Sequence, residues 1–300
     1  MAAAVASQRR YHSTEAAYVL PNDAVEQERL DAQAAAIVEM IGGRPVLAPI
    51  EHFPRISKAV DVGCGTGIAT LQIADLTRPS ATIYGLDLSP IPERVLKIAP
   101  SNVVWATGNV LDVEKPAAGQ VDDIFAPNSL DYIFGRMLFL GINDWTRYFA
   151  TAARSLSSGG IIEHQDLDWV FYRAGTSERL NTNWDWHHRV VAAAHKAGLS
   201  TTAGSGAASL MKDAGLEIIS VQTFEFSFVP SRKTPNSISM GKYVMEKLVP
   251  NYPELLRKML GGAEGVSGDD LDRLSKQALA DIQSEEGIHQ KYTVTVARKP

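Results

Sequence analysis

Apolar positions along the chain alternate between two periods. Over residues 22–41 they recur at helical spacing, with Leu30, Ala34, Ile37, Val38 and Ile41 on one stripe. Asp23 stands at the N-cap position, Glu26 can complete a capping box, and Gly42-Gly43 halts the run. A connector marked by Pro45, Pro49 and Pro54 follows. Short apolar runs then predict buried strands at 58–62, 82–86, 103–106, 132–134 and 161–165. Between the last two, a helix starts at Asn143, aligns Trp145, Tyr148, Phe149, Ala152 and Leu156, and has Gly159-Gly160 beyond its end. Helices at 181–196 and 205–214 and a strand at 216–226 come next, but the following strand, 291–297, arrives only after a long interruption. That interruption carries its own helical stripes, the clearest being Leu271, Leu274, Ala278, Leu279 and Ile282 behind a Ser267-x-x-Asp270 cap.

Strands alternating with helices predict an α/β fold built on a doubly wound, mostly parallel sheet, which binds ligands at the carboxyl ends of its strands. The chain divides into an N-terminal helical cap (1–50), a core (51–229), a helical insertion (230–287) serving as substrate lid or dimer interface, and a final core strand (288–300). No internal repeat interrupts this plan.

Composition narrows the partner. With 300 residues, 45% of them apolar, the chain can bury a large core. Its net charge of −5 and lack of a basic run argue against nucleic acid or a membrane surface and favour a small molecule. The single cysteine, Cys64, cannot form an internal disulfide, and uncharged stretches such as 62–74 are too short to span a bilayer. A cytoplasmic location is expected, or a nuclear one if the protein is regulatory.

The chemistry concentrates where the first strand ends. Asp61-Val62-Gly63-Cys64-Gly65-Thr66-Gly67 runs from strand into helix, where glycine lets a ligand approach the backbone and a helix start adds free N–H donors. Asp87 closes the second strand 87 − 67 = 20 residues after the last glycine, where a carboxylate can accept both ribose hydroxyls of a nucleoside. A dinucleotide loop would place its third glycine at Ile68; here it is Gly67, which lowers the nicotinamide reading.

Asp-x-Gly-x-Gly-x-Gly resembles the first motif of class I S-adenosyl-L-methionine (SAM) methyltransferases. Further segments carry the resemblance: Arg10-Tyr11-His12, Tyr18-Val19-Leu20-Pro21-Asn22-Asp23, Glu26, Arg29-Leu30, Leu88-Ser89-Pro90, Asp131-Tyr132-Ile133, Arg136-Met137 and Glu163-x-Gln165-Asp166. Together they resemble the fungal secondary-metabolism (LaeA-like) methyltransferases over residues 9–170 and make the basic start family structure, not a transit peptide. The resemblance implies a Rossmann-like fold and SAM as cofactor. It assigns cofactor contacts to Tyr18, Asp61, Gly63, Gly65, Gly67, Asp87, Leu88, Asn109, Val110 and Arg136. Asp61 and the glycines would hold the methionine portion, Asp87 the ribose, Leu88 an adenine face, the Asn109-Val110 turn the adenine edge, and Arg136 the methionine end. The family usually has an acid at Asn109, whose amide carbonyl can still accept from the adenine amine.

Methyl transfer from a sulfonium needs a base only when the nucleophile must lose a proton. His164, at the end of a strand on the ligand-bearing edge, is a candidate base or a packed structural histidine. On the helix after Asn181, Trp186, Val190, Ala193 and Ala197 form the core face, while His188 lies opposite and His187 between; either histidine could line a pocket roof or meet solvent. No metal site is expected: Glu163, His164, Asp166 and Asp168 alternate in direction along a strand, and Arg136 stands where a metal would want an acid. Tyr243, Val244, Leu248, Leu255, Leu256, Met259 and Leu260 are candidate apolar walls, or the face of a homodimer. The expected function is methylation of a small secondary metabolite. A SAM-binding protein guiding a non-methylating cyclisation or rearrangement, a regulator and a nicotinamide oxidoreductase are the alternatives.

Overall fold

A computed structural model of the chain describes residues 23–49, 56–115, 120–261 and 266–300. Five strands follow the predicted apolar runs: β1 (Lys58–Val62), β2 (Thr82–Asp87), β3 (Val103–Thr107), β4 (Leu130–Arg136) and β5 (Leu156–Tyr172). They pair in parallel, with β1 between β2 and β4. β6 (Glu217–Ser227) and β7 (His289–Arg298) complete a seven-stranded sheet of order β3-β2-β1-β4-β5-β7-β6, in which β7 runs antiparallel to both its neighbours. The chain reverses its direction of winding between β1 and β4, so a crevice opens at their carboxyl ends.

Among the described residues ten α-helices flank the sheet: α1 (Ala24–Met40), α2 (Ile68–Leu76), α3 (Glu93–Leu96), α4 (Gln120–Ile124), α5 (Trp145–Ser155), α6 (Asp185–Lys196), α7 (Ala203–Asp213), α8 (Ile238–Tyr243), α9 (Tyr252–Leu260) and α10 (Gly268–Ile282). The last three lie between β6 and β7 in sequence, and α10 carries the predicted Ser267–Asp270 capping box. Two buried apolar layers result. Tyr132, Phe134 and Tyr292 join Ile37, Ile73 and Leu274 in one, while Val60 and Ile133 join Phe149 and Met211 in the other, as alternation along each strand requires. No helix among the described residues is long and apolar enough to cross a membrane.

Two elements differ from their sequence expectation. β5 spans 17 residues and begins directly where α5 ends, so Gly159-Gly160 lies inside the strand and does not stop the helix. Its far half holds buried Asp166 and Asp168, which read as a strand end in sequence. Their carboxylates are satisfied by backbone N–H groups, Asp166 by Leu138 and Leu167 and Asp168 by Ser205. In α1 the buried side includes Glu26, Arg29 and Gln33, whereas Leu30 and Val38 are only half-buried. Asp23 caps the helix through the Glu26 N–H, and the Glu26 carboxylate takes a bidentate bond from Arg29.

Candidate functional site

The glycine loop turns out of β1 with its three glycines at positive φ, but they serve different ends. A Cβ on Gly67, at φ +82°, would lie 2.6 Å from the Trp105 ring, so this glycine is required by packing beneath the loop. A Cβ on Gly65, at φ +57°, would meet only Leu30, at 3.6 Å, and this backbone stands open to the crevice. Gly63 also lines the crevice, whereas Gly67, one of the expected ligand contacts, does not.

Asp61, also an expected ligand contact, does not line the crevice either. It is turned inward, fully buried, and accepts the Thr70 hydroxyl at 2.6 Å, so it fastens α2 to β1 beneath the loop. Burial pushes its pKa up to about 7 against the opposing effects of the Thr70 bond and Arg136. Asp87 does face the crevice, from the end of β2. One carboxylate oxygen accepts the Gly65 N–H at 2.8 Å and the other the Ser89 N–H at 2.9 Å, which ties the loops after β1 and β2 together. Leu88, Asn109 and Val110 line the same stretch. Asn109 Oδ1 accepts the Leu111 N–H at 3.0 Å and so caps a short 3-10 turn, leaving one lone pair for a ligand donor. Arg136 enters from the end of β4; its guanidinium lies over the Phe134 ring and its buried Nη1 has no hydrogen-bond partner among the described residues. Tyr18 lies outside the described residues.

The crevice deepens into a cavity of about 430 Å³. Beyond the strand ends its walls come from three places. Helix α1 brings Glu26, Arg29 and Gln33; α6 brings Trp186, His187 and Val190; the insertion brings Leu248, Tyr252, Leu255, Leu256 and Met259. Of the predicted walls, Tyr243, Val244 and Leu260 do not line it. Val244 and Leu260 are core residues, and the Tyr243 hydroxyl accepts Arg29 Nη1 at 2.5 Å, joining α8 to α1. Sequence periodicity missed the floor of this region: Trp169, Phe171, Phe226, Phe228 and Gln290 lie on β5, β6, β7 and the loop after β6, and Phe139 lies in the loop after β4. Only the long β5, unseen in the pattern, brings Trp169 and Phe171 here.

Of the three candidate histidines, His187 alone lines the cavity. His164 shares its strand face with α5, enclosed by Trp145, Tyr148 and Phe149, and does not reach the cavity. Strand alternation decides this: its neighbours Glu163 and Gln165 point the other way, where Glu163 accepts from Leu47, Ala48, Tyr132 and Gln165. Burial holds the His164 pKa down to about 3, so the ring is neutral. His188 is exposed on the outer side of α6. His187 does line the cavity, but its Nε2 donates to the Trp169 carbonyl at 2.7 Å, leaving Nδ1 to accept from Asn181 Nδ2 at 3.2 Å. With both nitrogens engaged and burial lowering its pKa, it serves as wall and brace.

The arrangement fits the cofactor implied by the sequence. The open backbone at Gly65 can accept a ligand without a Cβ in the way, the Asp87 carboxylate has lone pairs for hydroxyls, and the orphaned Nη1 of Arg136 calls for an anionic group such as a carboxylate.

Comparison with known proteins agrees. A family model described as a methyltransferase domain matches residues 28–221. The methyltransferase pytC of Aspergillus terreus is 28% identical over 296 residues, which cover 97% of this chain and 86% of that protein. The methyltransferase str2 of Strobilurus tenacellus is 30% identical over 153 residues, 51% of this chain and 50% of its own. The secondary metabolism regulator LAE1 of Gibberella fujikuroi is 31% identical over 157 residues, 51% of this chain and 45% of its own.

Proposed function

The chain belongs to the methyltransferase-domain family, and from that premise we propose that it methylates a neutral, largely apolar small molecule seated between α6, α9 and the β5–β7 floor. It is a SAM-dependent methyltransferase of the secondary-metabolite type. The observation that carries the acceptor reading is the continuity of one cavity from the glycine loop to an aromatic chamber.

When bound, SAM supplies an electrophilic methyl group on a sulfonium. The residues that would hold it are Asp87 at the ribose, Arg136 at the amino-acid carboxylate, Leu88 against adenine, Asn109 and Val110 at the adenine edge, and the Gly63–Gly65 backbone alongside the methionine chain. The aromatic chamber excludes water and orients the acceptor. Holding two reactants close and aligned can supply roughly 7–11 kcal/mol of barrier reduction. With His164, His187 and His188 all placed for other tasks, the acceptor is one whose nucleophilic atom needs little help in losing a proton. The insertion acts as enclosure in this reading, since Leu255, Leu256 and Met259 line the chain's own cavity.

Mass spectrometry after incubation with SAM and a crude metabolite extract tests the proposal. The expected product is a metabolite heavier by one methyl substitution, formed together with S-adenosylhomocysteine (SAH). A product of unchanged mass would establish the cyclisation or rearrangement reading instead, and SAM binding without any turnover the regulatory one.

A further inference from the structure

One polar side chain in the aromatic chamber has no structural task. Gln290 pairs in register with Phe171 on β5 and with Phe226 on β6, so the three side chains form a row across the sheet on the face that lines the cavity. Phe228 lies against both rings, at 4.9 Å from Phe171 and 6.1 Å from Phe226 between centroids. Gln290 is only 5% exposed, yet among the described residues its amide makes no hydrogen bond. The neighbouring polar groups are committed: Asn181 bonds the Phe171 N–H and His187, and His187 bonds the Trp169 carbonyl. The Gln290 amide is not sealed in the wall but opens onto the cavity, where it offers a ligand a donor and an acceptor that a hydrocarbon side chain of similar length would lack. Its donor and acceptor are accounted for if they meet a ligand.

We propose that Gln290 is the specificity-determining contact for the acceptor, its amide bonding a carbonyl or hydroxyl oxygen on a neutral, ring-containing molecule whose apolar surface lies against Phe171, Phe226 and Trp169. The inference rests on reading this chamber as the acceptor end. Tyr252, the first residue of α9, also lines the cavity. The polar side chains named at this floor (Gln290, His187 and Tyr252) are uncharged, whereas the cations that line the same cavity, Arg29, Arg136 and Lys258, come from α1, the end of β4 and α9, so an uncharged acceptor suits the floor better than an anionic one.

The test compares 1-naphthol, 1-methylnaphthalene and 1-naphthoate, probes of similar shape, by ligand-observed NMR titration of the SAH-loaded protein. Wild type should bind 1-naphthol about three- to tenfold more tightly than 1-methylnaphthalene, the size of one neutral hydrogen bond, and should bind 1-naphthoate most weakly. In Gln290→Met, close in length and apolar, the naphthol preference should vanish or invert. Gln290→Glu, which keeps an oxygen acceptor for the phenol O–H, should retain it. SAH affinity measured by calorimetry in every variant reports that the fold and the cofactor end are intact, and Gln290→Leu replaces Gln290→Met should the latter lose it. An unchanged preference in the apolar variant, or wild type that binds SAH and none of the aromatic probes, overturns the inference and leaves the cofactor reading standing. Wild type that fails to bind SAH overturns the cofactor reading, and this inference with it.

Discussion

Two acidic side chains at neighbouring strand ends have opposite fates, and the difference is testable. Asp87 is half-exposed to the crevice and Asp61 is sealed beneath it. Replacing Asp87 by Ala removes both the acceptor proposed for the ribose and the tie to Gly65, so SAM affinity measured by calorimetry should fall by at least about tenfold, since hydrogen bonds to a charged group contribute roughly 1.5–3 kcal/mol each. His164 belongs to the sealed class. Its unfolded pKa is 6.5 and burial lowers the folded value to about 3, so the folded state resists the proton that the unfolded chain accepts. Stability from this residue is therefore complete above pH 6.5 and is lost as pH falls toward 3, by about 1.4 kcal/mol per pH unit. Asp61 and Asp166, raised by burial to about 7 and about 8 from 3.8, work in the opposite sense and erode stability as pH rises through that range. The difference between wild type and His164→Phe isolates the histidine. Urea unfolding should find the variant no less stable at pH 7 and more stable than wild type at pH 5, with SAM affinity and turnover unchanged. A large loss of turnover at unchanged SAM affinity would place His164 in the chemistry after all.

At the scale of elements, the glycine loop separates stability from binding. Gly67→Ala drives a Cβ into Trp105 at a positive φ, and should destabilise the protein by about 2–4 kcal/mol from strain and overpacking together. Gly65→Ala meets only Leu30 and should lose less stability but more SAM affinity, because the new methyl group stands where the ligand approaches. Thermal unfolding and calorimetry on the pair would show the crossover; equal loss of both properties in both variants would refute the division. The loop was legible because strand, glycines, helix and distal acid follow one another in a short stretch of chain. β5 was not. Its first residues follow α5 without a turn, and its far half buries carboxylates whose partners, the N–H groups of Leu138 and Ser205, come from other segments. Hydropathy reads such residues as surface, and only the fold supplies the donors. The same limit hid the Glu26–Arg29 pair, which makes the polar side of α1 a buried one.

The whole molecule assembles one cavity from distant parts of the chain: the strand ends of residues 61–136 at one end, and α6, the insertion and the β5–β7 floor at the other. Periodicity gave the insertion's stripes, but a stripe does not say what it covers, so Tyr243, Val244 and Leu260 could not be told from Leu255 and Met259. Position in three dimensions makes the difference, and it predicts that the two ends can be perturbed separately. Met259, with Phe139, Trp169 and Leu255, packs against Leu140, Ala194 and Leu199 and borders the cavity, whereas the residues beneath the glycine loop are Trp105 and Leu138. Tryptophan in its place would project into open space, so the fold can absorb the added volume where a close-packed core could not. Met259→Trp should therefore keep SAH affinity within about twofold while weakening 1-naphthol by about tenfold or more, a loss of 1.4 kcal/mol or greater by the same measure. Equal weakening of both ligands would mean that α9 closes over the cofactor itself, and that the acceptor enters by another route.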